Sequence, residues 1–142
     1  MRVMVIVKAN KDSEAGAGPD DEAMLTEMGR YNEELVKAGV MQAGEGLHPT
    51  SKGVRVRLGG GRQTIVNGPF TPANEQIAGF WLWKVASMDE AIDWAKRVPN
   101  PTGNDFDLEI RQIMELEDFG AELTPEARKQ EERLRAEIAA KQ

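Results

Sequence analysis

Residues 2–8, Arg-Val-Met-Val-Ile-Val-Lys, open the chain with an apolar run. Val3, Val5 and Val7 fall on one face of an extended segment, Met4 and Ile6 on the other, and the β-branched side chains favour a pleat. Apolar character on both faces predicts a strand inside a doubly covered sheet. Residues 77–85, Ile-Ala-Gly-Phe-Trp-Leu-Trp-Lys-Val, repeat this pattern, with Trp81 and Trp83 on one face and Phe80 and Leu82 on the other. Shorter strands are predicted over Val40–Leu47 and Leu108–Leu116.

Between the strands the period changes. From about Asp20 to Ala38, residues Met24, Met28, Tyr31, Leu35 and Ala38 recur at steps of three and four, the stripe of an amphipathic helix. Asp20, Asp21 and Glu22 suit its N-terminus, a polar, Gly-rich loop ending in Pro19 precedes it, and Gly39 supplies its stop. Ser87 with Glu90 three residues on is a capping box for a second helix. Ala91, Trp94, Ala95 and Val98 form its stripe, and Pro99 ends it.

Residues 53–67 have the signature of a β-hairpin. Val54, Val56 and Leu58 alternate with Arg55 and Arg57, Gly59-Gly60-Gly61 makes the turn, and Arg62–Val66 returns before Asn67-Gly68-Pro69 breaks the strand. Near the C-terminus, Thr124 caps a helix with Pro125 at its first position. From Glu126 to Gln142 that helix is mostly charged, with Glu131–Arg135 and Glu137–Lys141 at favourable spacing. Only Ala127, Leu134 and Ile138 give it an apolar seam, so it is expected to lie on a neighbour rather than in the core. The expected organisation is a globular domain over residues 1–119 and a charged helix over 120–142.

With the hairpin set aside, the order is strand, helix, strand, strand, helix, strand. This is the βαββαβ pattern of an α+β, ferredoxin-like sandwich with an inserted β-hairpin. Two helices cover one face of such a sheet, yet the strands at 2–8 and 77–85 are apolar on both. A second copy stacked face to face would cover the other, so a homodimer is expected.

Composition narrows the chemistry. The chain has 142 residues and a net charge of −6, which argues against non-specific nucleic-acid binding. It has no cysteine, which excludes disulfides, thiolate nucleophiles and zinc–thiolate sites. A single histidine, His48, excludes multi-histidine metal centres, and no EF-hand spacing occurs. No metal and no cofactor are therefore expected. The first strand starts at residue 2 without a leader pattern, and no apolar run is long enough to cross a bilayer. A cytoplasmic location without a membrane partner is the expectation.

The stretch Asn67-Gly68-Pro69-Phe70, followed by Glu75 and Gly79-Phe80, resembles the DGPF signature of the YciI-related proteins. Tyr31-Asn32-Glu33-Glu34-Leu35, Ala43-Gly44-Glu45-Gly46-Leu47 and Met88-Asp89-Glu90-Ala91 fit the same family in the same order, so the resemblance spans roughly residues 1–116. It implies a dimeric α/β-barrel with a cavity near the sheet, and no particular reaction. Asn67 stands where the motif has aspartate, and Thr71-Pro72-Ala73-Asn74 replaces a more polar run. The His–Asp pair proposed in some relatives has no counterpart here, because His48 follows Gly46-Leu47 in a different context.

Candidate chemistry centres on a few side chains. His48 has the one imidazole, a general base if Glu45 or Glu75 orients it and otherwise an ordinary loop residue before Pro49. Glu45 lies between two glycines that leave room for a ligand, or simply ends a strand in solvent. Glu75 either caps its turn or reaches a ligand. From Gly46 to Asn67 there is no acid but there are Lys52, Arg55, Arg57 and Arg62, a basic strip that attracts an anion or merely wets a hairpin face. Trp81 and Trp83 either line a pocket for a flat molecule or belong to the core. The expected function is a small-molecule-binding homodimer. Glu45, His48 and Glu75 are its candidate catalytic groups; Arg57, Trp81 and Asn67 are its candidate contacts to a small anionic or aromatic molecule. The alternatives are a cofactor-free enzyme of proton-transfer or lyase type in the same pocket, and a regulatory partner protein.

Overall fold

A computed structural model describes residues 1–16 and 22–142. The chain divides into two compact units, Met1–Gln112 and Ile113–Gln142.

The first unit is built on a four-stranded antiparallel sheet of β1 (Arg2–Lys8), β2 (Met41–Gly46), β5 (Ile77–Lys84) and β6 (Leu108–Gln112), in the spatial order β2-β5-β1-β6. With α2 (Glu22–Lys37) after β1 and α3 (Met88–Ala95) after β5, this is the ferredoxin-like βαββαβ arrangement. The two strands with the strongest apolar pattern, β1 and β5, are its two central strands. A separate two-stranded sheet, β3 (Val54–Gly59) and β4 (Arg62–Asn67), is inserted between β2 and β5. Gly60 and Gly61 turn this hairpin with φ of 59° and 72°, a region open mainly to glycine.

Pairing fixes which side chains share a face. Val3 stands opposite Trp83 and Val5 opposite Trp81, while Met4 and Ile6 meet Leu82 and Phe80. The tryptophan face is the core: Val3, Val5, Trp81 and Trp83 pack with Tyr31 and Leu35 of α2 and Ala91 of α3. Tyr31 makes edge-on ring contacts with Trp81 and Trp94 and donates its hydroxyl to the Trp94 carbonyl oxygen at 2.7 Å, tying α2 to α3. Burial pushes the Tyr31 hydroxyl pKa well above its ordinary value.

Several local details differ from expectation. The sequence-predicted helix start at Asp20 and Asp21, and Pro19 before it, lie outside the described residues. The loop at 10–19 contains a short helix, α1 (Lys11–Glu14), capped reciprocally by Asn10 and Ser13. Ser87 caps α3 by accepting from the Glu90 amide, but the Glu90 carboxylate reaches back to the Ala86 amide. The predicted strand over Leu108–Leu116 stops at Gln112, and Leu116–Asp118 is a 3₁₀ turn.

The second unit carries α4 (Pro125–Ala140). Thr124 accepts from the Ala127 amide, and Arg135 bridges to Glu131 at 3.2 Å and to Glu115 at 3.8 Å. Glu137 pairs backward with Arg133 at 4.0 Å. Leu134 and Ile138 remain exposed within this unit.

Candidate functional site

A cavity of about 680 Å³ opens at one end of the main sheet, in the first unit. Trp81 on β5 and Met24 and Met28 on α2 line it, joined by Leu47 after β2 and Phe106 before β6. Its size suits a small organic molecule.

Glycine makes room for the indole. A Cβ on Gly44 would sit 2.8 Å from Trp81 Cδ1, so the glycine opposite Trp81 on β2 lets the ring lie across the neighbouring strand. Gly46 has nothing within 4 Å of where a Cβ would stand, and it lines the cavity. A Cβ on Gly79 would meet the Glu45 carbonyl oxygen at 2.9 Å, so this glycine serves close strand packing.

Polar groups enter from both walls. Trp81 Nε1 donates to Asn32 Oδ1 at 2.9 Å, which fixes the orientation of the Asn32 amide at the cavity wall. Glu45 and His48, both exposed, line the same cavity, as does Lys8. Lys8 Nζ also donates to the Glu75 carbonyl oxygen at 3.2 Å.

Three loops border the opening, and α1 fastens them. Asn10 Nδ2 donates to the Asp105 carbonyl oxygen at 3.4 Å, and Asn104 Nδ2 to Asp12 Oδ2 at 2.8 Å. The Glu14 carboxylate accepts from the Thr50 amide at 3.1 Å and from the Thr50 hydroxyl. The segment after His48 is thereby held to the segment after β1.

The structure therefore brings Glu45, His48 and Trp81 to one cavity, and Glu75, Arg57 and Asn67 are not among its lining residues. Glu75 is exposed at the end of a 3₁₀ turn over Ala73–Glu75. The side chain that secures this turn is its buried neighbour Gln76, which donates to the Pro72 carbonyl oxygen and accepts from Arg55. Arg57 and Asn67 are exposed on the hairpin.

The Asn-Gly-Pro-Phe turn roots the hairpin. A Cβ on Gly68 would lie 1.7 Å from the Thr50 carbonyl oxygen, so only glycine fits. The Phe70 amide donates to Thr50 Oγ1 at 2.9 Å, and the Arg55 guanidinium lies 3.8 Å from the Phe70 ring centroid. The backbone and ring of this motif do structural work. Asn32 was absent from the expected site, although the stripe Met24, Met28 continues at a step of four onto it: a polar residue on an apolar helix face was the available signal.

The YCII-related domain matches residues 1–117. The chain belongs to this family. An uncharacterized protein of Rhizobium meliloti (strain 1021) is 30% identical to this YCII-related chain over 94 residues, covering 66% of this chain and 76% of that protein. Among solved structures, the chain is similar to 5-chloro-2-hydroxyhydroquinone dehydrochlorinase (TftG) from Burkholderia phenoliruptrix AC1100 in complex with 2,5-dihydroxybenzoquinone. That likeness has a TM-score of 0.46 at 16% identity, over 80% of this chain and 94% of that one. No described helix is long and apolar enough to cross a membrane.

Proposed function

We propose that this YCII-related protein binds a small, partly aromatic molecule in the Trp81 cavity. The observation that carries this reading is the pairing of a large apolar wall with one oriented amide, Asn32, held by the indole itself. An apolar cavity with few fixed polar groups is the usual form of a small-molecule site. Titration with simple aromatic acids such as benzoate, followed by tryptophan fluorescence and by native mass spectrometry, tests it. Binding is expected in the unmodified protein and at least about tenfold weaker in Asn32→Ala. Equal binding by both would remove the site.

Proton transfer without a cofactor is the second reading, favoured by Glu45 and His48 lining the same cavity. Both are exposed, while Trp81 supplies the apolar contact. Turnover of a bound molecule that His48→Gln abolishes without weakening its binding would establish this chemistry. Retention of turnover would exclude His48 from it.

The working unit we propose is a homodimer. Met4, Ile6, Ala43, Phe80 and Leu82 share the sheet face opposite the core. Arg2, Lys84, Glu45, Glu109 and Arg111 surround them with both signs of charge, which suits a self-complementary contact. Sedimentation velocity at micromolar concentration should show a dimer; a stable monomer would refute it.

A further inference from the structure

The β3–β4 hairpin presents a bare apolar face. Val54, Val56, Leu58 and Ile65 share one face by strand register, and Leu58 and Ile65 are 72% and 68% exposed. By comparison, none of Met4, Phe80 or Leu82 on the main sheet is fully exposed. An isolated two-stranded ribbon is marginal in water. Yet this one is paired along its whole length and anchored at its root by Gly68 against Thr50, Arg55 on Phe70, and Arg55 on Gln76. A firmly rooted arm with a bare apolar face calls for something to cover that face.

Charge on the arm's opposite face, where Arg57 and Arg62 stand by register, points to the kind of body the arm approaches. From Gly46 to Asn74 the chain carries Lys52, Arg55, Arg57 and Arg62 and no acid, on a protein of net charge −6. The rest of the chain is therefore more negative still. Arms repel arms, bodies repel bodies, and an arm is drawn to the body of another copy. The same acidity disfavours approach to nucleic acid or to an anionic membrane.

We propose that the β3–β4 arm is an intersubunit element, its apolar face covered by the acidic body of a second copy of this chain. This goes beyond the face-to-face pairing proposed above, which does not require the arm.

The chain has no cysteine, so a single Thr64→Cys carries a nitroxide on the arm face opposite Val56 and Ile65. The labelled chain is mixed with ¹⁵N-labelled, otherwise unmodified chain. The proposal expects amide signals of the ¹⁵N copies to broaden through the partner's nitroxide. It expects this to fade in about 1 M salt, where the screening length is about 3 Å. Val56→Asp with Ile65→Asp is expected to weaken association at least about tenfold. Should that pair disrupt the hairpin, Arg57→Glu with Arg62→Glu leaves the apolar face intact and is expected to weaken association in the same direction. Dimers without intermolecular broadening would overturn the arm proposal and leave the sheet pairing standing; a monomer would overturn both.

Discussion

Strand β5 and the hairpin strands β3 and β4 are built from the same kind of alternation and end in opposite environments. In β5, Trp81 and Trp83 lie under α2 and α3 and are 6% and 0% exposed. In the hairpin, Val56 and Ile65 face each other across the ladder and remain 56% and 68% exposed. Alternation therefore specifies which side chains share a face, while a covering layer decides whether that face is buried. The main sheet has its layer within the chain, because two helices follow its strands. The hairpin is followed by a glycine–proline turn and has no helix of its own.

The largest break in this comparison comes from removing the covered face. Trp83→Ala is expected to cost about 3–5 kcal/mol, since it empties a fully buried site in a packed core. That is a large part of the stability of a domain of this size. Guanidinium unfolding would measure it, and a loss under about 1 kcal/mol would show that the core is not where burial places it. Next comes the root of the arm. Gly68→Ala drives a methyl group into the Thr50 carbonyl oxygen and is expected to cost about 1–3 kcal/mol. Amide exchange should speed up across β3 and β4 while β1 and β5 stay protected; uniform change would show that the hairpin is not separately anchored.

A smaller effect tests the core through pH. Tyr31 is the only tyrosine, and burial raises its folded-state pKa above the unfolded value of about 10. Above that pH the unfolded chain loses the proton first. The folded state then binds more protons, and stability falls as pH rises. Tyr31→Phe is expected to cost about 1 kcal/mol at neutral pH through the lost bond to the Trp94 carbonyl. It should also flatten the alkaline decline seen in urea midpoints between about pH 10 and 11. An unchanged alkaline limb would place its origin in other groups.

Much of this was legible in the residues. Both central strands, the Tyr31–Leu35 stripe, the Ser87 and Thr124 caps and the glycine turn are local patterns, and each sits where local physics puts it. The misses are non-local. Residues 10–16 read as a loop because α1 is only four residues long and has no buried side chain to leave a periodic trace. Its partners, Thr50, Asn104 and Asp105, lie tens of positions away, and no spacing rule reaches them. In the candidate site, Gly44 and Trp81 come together because β2 pairs with β5, Glu45 follows on the other face opposite Phe80, and the Leu47 amide, donating to the Ala78 carbonyl oxygen, extends that pairing toward His48. Glu75 was grouped with them by its nearness to β5 in sequence, but its neighbour Gln76 is the buried one.

The smallest effect sharpens the comparison most. Leu58→Ser on the arm should change the stability of a single protomer by no more than about 0.5 kcal/mol, because a side chain 72% exposed has little burial to lose. The same replacement at a buried β5 position would remove a packed side chain and leave a hydroxyl in an apolar site, a cost several times larger. The test is denaturation at low protein concentration, where intersubunit contacts do not contribute. If Leu58→Ser is silent there and destabilising at high concentration, the arm's apolar face draws its burial from another copy. A loss of several kcal/mol at low concentration would instead mean that a layer from the same chain already covers Leu58. The contrast between the two strand systems would then disappear.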